Sequence, residues 1–382
     1  MSAAGPGAPT ALQGRGGTVA ALQGDDDAVP LPAATGRRSP LGLVVGLVVV
    51  ALLAVVPTLD VRLPGVVPGL LSSPGALQVL AVALVFAGLA MSYDVVFGYT
   101  GLLSFGHALF FGIAVYGTDL LMAEAELPYA AAAVLAVLIS GTTAALLGAV
   151  ALRARGVAFA MVTLAFVEAF GIFLVTDPMR ITGGEEGLPL ATEHVPGIFR
   201  GVVNAQNQYW LALALAVVTF LVVRAVTGSS AGRVWQAVRE NEDRVELLGI
   251  RPYPAKLLAF VVGAVLAAAG GCVYLLLVRG AGPAVANADF SLALLVMVVL
   301  GGAGRLWGAA LGGLLYGLLT LRLPALATSG LLDPFPAGVE DVLAEPLFVL
   351  GVLFIVLVLF APSGVAGVVD RVRAALSRGP RR

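Results

Sequence analysis

The chain has 382 residues, of which 59% are hydrophobic and 12% charged, with 48 glycines and a net charge of −1. Soluble domains carry about 25% charged residues, so this composition excludes a soluble globular protein and indicates a chain whose main solvent is lipid. No element gathers Lys and Arg into a phosphate-binding face, which argues against a nucleic-acid partner. The single cysteine, Cys272, excludes an internal disulfide and a thiolate metal cluster.

Residues 1–40 are rich in Gly, Ala, Pro and Gln and predict a disordered cytoplasmic tail. Apolar windows beyond it predict an all-α integral membrane protein with about ten transmembrane helices. These helices form a transmembrane domain at 41–361, followed by a basic cytoplasmic tail at 362–382. The predicted spans are 41–56, 76–96, 106–123, 129–151, 157–175, 208–226, 257–278, 289–303, 309–323 and 345–361.

The distribution of basic residues supports this topology. With the amino terminus inside, 17 Lys and Arg residues lie on the cytoplasmic side and 5 on the other, as the positive-inside rule requires. Both termini are then cytoplasmic, with a long external loop at 176–207 and a long internal loop at 227–256. The glycine-rich stretch 98–108 leaves open a nine-helix alternative in which this stretch is re-entrant.

The internal loop predicts an amphipathic helix on the cytoplasmic side. Ser230 can cap its start, and Gly249 can take the left-handed conformation that ends a helix. Glu240 and Arg244 are spaced to pair on a polar face. The apolar stripe consists of Val234, Val238, Val245 and Leu248. Such a helix either packs on the membrane surface and the protein's own helices or docks into a groove of a partner.

Polar and small residues at membrane depth are candidates for a translocation path. Gly98, Gly101 and Gly106 either free backbone groups along a path or allow helices to pack closely. His107 either hydrogen-bonds between helices or transfers protons. Glu168 either bonds a Ser or Thr on a neighbouring helix or faces the path, where it would meet the ammonium group of a zwitterionic solute.

Two further features concern the inner ends of spans. Asp94 is expected near the inner end of its helix, where its carboxylate can reach water. The small residues of 301–313 predict a tight helix crossing, with Arg305 and Trp307 at the inner interface.

Five segments carry recognisable motifs. They are GYTGLLSFGHALFFGIAVY at 98–116, RARGVAFAMVTLAFVE at 153–168, ITGGEEGL at 181–188, GRVWQAVRENEDRVELLGIRPYPAKLLAF at 232–260 and VVLGGAGRLWGAALGG at 298–313. In this order, over about 76–361, they resemble the ABC importer permeases of the branched-chain amino-acid family. The extended amino end, the R-x-R-G-x-x-F-A motif and the T-G-G loop resemble the longer, M-type subunit of that family.

The resemblance implies an ABC importer permease in the inner (plasma) membrane of a bacterial cell. It implies a path for branched-chain amino acids or related solutes, formed with a second homologous permease subunit. It also implies two ATP-binding cassette ATPase subunits and an extracytoplasmic solute-binding protein. The expected ATPase contacts, within 232–250, are Arg239, Glu240, Asn241, Glu246 and Gly249. The expected path residues are Tyr99, Ser104, His107 and Glu168.

The motifs that are absent bear on the type of activity. The chain has no G-x-x-x-x-G-K-[ST] loop and no H-E-x-x-H motif. We therefore expect a non-catalytic subunit without cofactor or metal, with ATP hydrolysis by its partners. The rival classes are an ion-coupled secondary transporter that uses Asp94, His107 and Glu168, and a membrane-embedded enzyme. Urea, short amides and aromatic acids are alternative solutes for an ABC permease.

Overall fold

A computed structural model describes residues 40–61 and 69–327, together with 348, 351–352, 355 and 364–369. Apart from these short stretches, the predictions for the amino-terminal tail, the tenth span at 345–361 and the carboxyl tail lie outside the described residues.

The described residues form apolar helices in nearly the predicted order. They are α1 Pro40–Val55, α2 Pro74–Asp94, α3 His107–Ala123, α4 Tyr129–Ala151, α5 Val157–Thr176, α6 Ala205–Thr227, α7 Ser230–Glu240, α8 Glu242–Leu247, α9 Pro252–Val278, α10 Ala288–Gly301 and α11 Leu306–Ala327. Each of the first nine predicted spans coincides with one of these helices. The structure also contains short elements that the sequence did not predict. They are a π-helical turn at Val95–Tyr99, 3-10 turns at Val56–Thr58, Thr192–His194, Gly197–Phe199, Val202–Asn204 and Pro283–Ala286, and an antiparallel pair of strands, β1 Leu188–Pro189 and β2 Gly280–Ala281.

Length and apolar character identify the helices that can cross a bilayer. Five segments are long and apolar enough: Pro74–Tyr99, Tyr129–Ala151, Val157–Thr176, Val202–Thr227 and Pro252–Val278. Helices α3, α10 and α11 are apolar but contribute shorter stretches. An all-α membrane fold is therefore the architecture of the described chain.

The ends of the spans follow ordinary helix chemistry. Ser73 precedes α2 and its side chain accepts a hydrogen bond from the amide of Ala76, while Pro74 occupies the first turn, where no amide is needed. Asn287 caps α10 in the same way, accepting from the amide of Phe290 at 2.9 Å. Helix α9 ends at Val278, and the next residue, Arg279, adopts a left-handed conformation with φ 63°.

Helix α2 lies at the centre of the bundle. It packs against α6, α9, α10 and α11, while α3 packs between α4 and α9. Tyr93 and Phe86 of α2 are buried among these helices. Helix α4 is peripheral and exposes Val134, Leu138 and Leu146, as expected of a helix whose outer face meets lipid.

Small residues permit the close contacts around α11, as the sequence predicted for 301–313. Gly308 approaches Gly301 of α10, and Gly313 lies against the backbone of Phe86 in α2. A Cβ atom at Gly313 would lie 2.8 Å from the Cα of Ala87. The interpretation of this segment as a tight helix crossing is therefore confirmed.

The external loop is held to the bundle by hydrogen bonds. In the strand pair, Leu188 lies opposite Ala281 and Pro189 opposite Gly280.

The carboxylate of Asp177 accepts hydrogen bonds from the amides of Ile181, Thr182 and Gly183, at 2.7, 2.9 and 3.1 Å. These bonds, led by that of Thr182, hold the pKa of Asp177 below its ordinary value.

The contact at Gly313 can be tested by adding a methyl group. Gly313→Ala should lower the stability of the purified protein by about 1–3 kcal/mol, because the new Cβ has no room against α2. Gly46→Ala is the control, since a Cβ at that helical glycine meets nothing within 4 Å. Equal melting temperatures for the two variants in one detergent would contradict the packing described.

Asp177 makes the external loop pH-dependent. A depressed pKa means that the ionised carboxylate stabilises the folded loop at pH values above about 3.9, the ordinary pKa, and that this contribution is lost as the pH falls through the lower folded value. Asp177→Asn should therefore reduce the protection of the 181–183 amides from hydrogen exchange at neutral pH. Glu185→Gln, in the same loop, is the control and should leave that protection unchanged.

Candidate functional site

The internal loop forms two helices and not the single helix predicted. Helix α7 ends at Glu240, and Asn241 takes an extended conformation with φ −163° before α8 begins. The Asn241 side chain accepts a hydrogen bond from the amide of Arg244 at 2.9 Å and so caps α8. This break separates Glu240 from Arg244, and the predicted ion pair between them is not formed. The cap predicted at Ser230 was also wrong, because Ser229 precedes the helix.

The two helices have a buried face and an exposed apolar end. Trp235 is fully buried, and its indole N–H donates to the carbonyl of Ala255 at 2.8 Å. Val238 and Val245 of the predicted stripe are buried too. By contrast, Leu247 is 89% exposed and Leu248 is 74% exposed. The segment thus packs on its own chain through α7 and presents the apolar end of α8 to its surroundings.

Gly249 ends this segment as the sequence predicted. It takes a left-handed conformation with φ +79°, and a Cβ there would meet nothing within 4 Å. The neighbouring Ile250 is exposed and extends the apolar surface of Leu247 and Leu248.

Ion pairs tie α8 to the rest of the chain. Arg155, in the turn between α4 and α5, lies 3.3 Å from Glu246 and 3.9 Å from Asp243. Lys256 at the start of α9 pairs with Glu242. Within the described chain no cation pairs with Glu240. A cleft of about 670 Å³ lies beside these pairs, lined in part by Arg155, Glu246 and Lys256.

The carboxyl end of α2 is broken, as the glycines of 98–108 suggested. In a continuing helix the amide of Leu102 would bond the carbonyl of Gly98, but here it bonds Val96 at 2.9 Å. The guanidinium of Arg239 donates to the Gly98 carbonyl instead. Arg239 therefore joins α7 to the end of α2, which no sequence pattern indicated.

Asp94 does not reach water, so that prediction was wrong. Its carboxylate is fully buried, and Oδ1 accepts a hydrogen bond from the amide of Gly304 at 2.8 Å. The charged Arg239 side chain acts on it electrostatically. Burial beside a backbone donor and a cation explains how an acidic group is tolerated at this depth.

The predicted path residues near this break differ in exposure. Ser104 is buried, and its hydroxyl accepts from the amide of Gly106 at 3.1 Å. His107 is buried with its ring edge-on to Tyr93, at a centroid distance of 5.1 Å, and lies against Gly263 of α9. Tyr99 is half-buried. The structure brings Ser104 and His107 to the α2–α3 connection, where both contact protein.

Glu168 lies apart from that group, on the exposed side of α5. One carboxylate oxygen accepts a hydrogen bond from the amide of Ala288 at 3.1 Å, at the start of α10. Its partner is therefore a backbone group and not the Ser or Thr hydroxyl weighed from the sequence. Ala286, just before this helix, packs closely against Gly112 of α3 and Gly171 of α5.

The acidic and histidine groups weighed for an ion-coupled transporter are not joined. Asp94 bonds Gly304 and Glu168 bonds Ala288, and among the described residues no hydrogen bond links either of them to His107. Searched over the same residues, groups of three His, Cys, Asp or Glu that could hold a metal ion are absent.

Of the structural features that the sequence analysis did not predict, one had a recognisable sequence pattern and the others had none. Asn241, followed by two acidic residues, has the composition of a helix start and could have revealed the break. The contacts of Arg239 with Gly98, of Arg155 with Glu246 and of Glu168 with Ala288 join residues far apart in the chain. They carry no local signature.

The chain was compared with known proteins. The family model described as "Branched-chain amino acid transport system / permease component" matches residues 75–361. LivM of Salmonella typhimurium, a high-affinity branched-chain amino acid transport system permease protein, is 29% identical over 64% of this chain and 62% of its own length. The probable LivM of Methanocaldococcus jannaschii is 28% identical, over 53% of this chain and 58% of its own. BraD of Pseudomonas aeruginosa is 28% identical over 75% of this chain and 93% of its own length.

The chain thus covers about three fifths of the length of the LivM relatives. No solved structure was found to match it. The family model, however, spans most of the chain and includes every segment described above from α2 to α11. On this evidence the chain belongs to the family of branched-chain amino acid transport system permease components.

Proposed function

We propose that this chain is a transmembrane permease subunit of an ABC importer that carries branched-chain amino acids or related small solutes into a bacterial cell. It would form the path with a second homologous permease in the inner membrane, receive solute from an extracytoplasmic binding protein, and be driven by two ATPase subunits. The proposal includes ten spans with both termini in the cytoplasm. ATP hydrolysis belongs to the partners, because this chain has no phosphate-binding loop.

The observation that carries this proposal is the exposed apolar end of α8. Leu247, Leu248 and Ile250 form a protruding apolar surface beside charged side chains on the side that the basic residues place in the cytoplasm. A fixed apolar anchor with a charged rim is suited to a groove on a partner protein. We propose Arg239, Glu240, Asn241, Glu246 and Gly249 as the residues that form and support this ATPase contact.

The substrate class rests on the relatives. LivM and BraD are named as branched-chain amino acid transport permeases, and this chain is 29% and 28% identical to them over 64% and 75% of its length. The proposed path residues are Tyr99, Ser104, His107 and Glu168. Glu168 is the one among them with an exposed carboxylate at membrane depth, where it can attract the ammonium group of an amino acid.

Recovery of the complex tests the proposal as a whole. The chain is tagged in its native membrane, purified gently, and its partners are identified by mass spectrometry. We expect two ATPases and a second permease. A chain that is purified alone and moves solute in proteoliposomes under a proton gradient would overturn the ABC assignment.

The coupling segment is tested by removing its carboxylates. The double change Glu240→Ala and Glu246→Ala should lower uptake per ATP hydrolysed by roughly tenfold, because the contact with the ATPase loses its charged rim. Insertion and folding should be retained. Glu246 also pairs with Arg155, so Arg155→Gln is the matched control that breaks that pair while leaving both acids in place. Normal coupled uptake by the double variant would rule out this assignment.

The path assignment is tested at Glu168. Glu168→Gln retains an oxygen that can accept from the amide of Ala288 but removes the negative charge. Uptake of a zwitterionic amino acid should fall several-fold while the amount of assembled complex is unchanged. Asp289→Asn, at a neighbouring exposed acid, is the control for loss of charge alone. An unchanged uptake rate in Glu168→Gln would leave Glu168 as a structural group.

A further inference from the structure

The inner end of α2 meets two other elements at one junction, formed by Asp94, Gly98, Gly101, Arg239 and Gly304. Helix α7 contributes Arg239, and the turn between α10 and α11 contributes Gly304. Each of these residues contacts at least one other by a hydrogen bond or a close packing contact. Arg239 belongs to the residues proposed to form and support the ATPase contact, whereas the other four members of the junction do not, and the junction is separate from the exposed apolar side chains of Leu247, Leu248 and Ile250.

Arg239 has three separate contacts there. Its guanidinium donates to the carbonyl of Gly98, and its aliphatic part covers Gly101, where a Cβ would lie 3.0 Å from Cγ of Arg239. Its Nη1 lies beside Gly304, where a Cβ would be 2.6 Å away. The surrounding residues therefore hold both the aliphatic part and the guanidinium group of the Arg239 side chain in place.

The Gly98 carbonyl is available because the helix changes its hydrogen bonding at that point. The amide of Leu102 bonds the carbonyl of Val96 and not that of Gly98, so the buried carbonyl of Gly98 needs another donor. A residue with a side chain could not replace Gly98, because its Cβ would collide with the Asp94 carboxylate and the Gly304 amide.

Asp94 completes the junction from the other side. Its Oδ1 accepts from the amide of Gly304, while its second carboxylate oxygen is buried and makes no hydrogen bond within the described chain. The positive charge of Arg239 interacts with this carboxylate. The carboxylate thus ties the 302–304 turn to α2 at the same place where Arg239 ties α7 to α2.

We propose that Arg239 is a positioning residue that transmits movement of α7 to the inner end of α2 and to the α10–α11 turn. This inference rests on the proposed function, in which partner ATPases displace the α7–α8 segment. Because α2 is the central helix, a displacement applied at Gly98 acts on the whole bundle. Trp235 anchors α7 to the start of α9 and packs in one buried cluster with Val95, and Arg239, one turn later, adds a hydrogen bond to the end of α2.

The transport test compares two arginines of the same helix. In proteoliposomes that contain the assembled complex, Arg239→Gln should lower the solute transported per ATP hydrolysed by roughly tenfold. Arg239→Lys should restore part of this ratio, since an ammonium group can donate to one carbonyl but cannot match the planar fork. Arg233→Gln, at an exposed position of α7, is the control and should behave as the unaltered chain.

If Arg239→Gln does not assemble, two glycine variants still test the proposal. Gly101→Ala places a methyl group against Arg239, whereas Gly156→Ala adds one at a similar positive φ, 58° against 76°, with nothing within 4 Å. Both variants place alanine at a positive φ, and only the first places its methyl group against Arg239. The ratio of solute to ATP should fall in Gly101→Ala alone. An unchanged ratio in the assembled Gly101→Ala complex would overturn the proposal.

Hydrogen exchange on the purified permease separates this inference from the proposed function. Without any ATPase, Arg239→Gln should speed exchange of the amides at 98–104 and 302–304, and Arg233→Gln should not. Equal exchange in both variants would show that Arg239 does not hold the junction. If the unaltered complex shows no ATP-driven uptake, the importer assignment fails, while the exchange result still decides whether Arg239 holds α2.

Discussion

The carbonyl oxygen of Gly98 is buried where α2 stops being helical, and it must accept a hydrogen bond because an unpaired backbone group is costly away from water. The donor comes from Arg239, far along the chain, and with it α7 is brought against the central helix. The glycines at 98, 101 and 304 follow from the same contact, since a side chain at any of them would occupy the space of Arg239 or Asp94. This hydrogen bond and the space around it therefore determine how α7 meets the end of α2.

The need to pair backbone groups that have no helical partner also explains the position of Glu168. The chain between α9 and α10 is irregular and leaves the amide of Ala288 without a helical partner, and a carboxylate from α5 accepts its hydrogen bond. An acidic side chain at a helix start is also favoured by the helix dipole. Glu168 therefore bonds a backbone group and still has an exposed carboxylate. It can do both because a carboxylate has two oxygens, of which one accepts from Ala288.

Charge pairs within the chain limit which acidic side chains of α8 are free to meet a partner. Glu246 and Asp243 face Arg155, and Glu242 faces Lys256, so these acids already hold α8 against the α4–α5 turn and the start of α9. The two pairs of Arg155 are exposed and each contributes little stability, whereas Lys256 is buried where it pairs with Glu242. Together the three pairs restrict the orientation of this short helix. The apolar side chains of Leu247 and Leu248 are then presented in a defined direction, which a flexible loop could not achieve.

The sequence by itself determined the lipid environment, the first nine apolar helices to within a few residues, the left-handed Gly249, the tight crossing around 301–313 and the family. Each of these depends on composition or on residues close together in the chain, where periodicity and local backbone preference suffice. Only the tertiary structure decided that Asp94 is buried beside Gly304, that Glu168 bonds the start of α10 and that Arg239 bonds Gly98. These contacts join helices that are 120 to 210 residues apart in the chain, and their geometry arises from how the helices pack. No local pattern can encode which buried backbone group a distant side chain will satisfy.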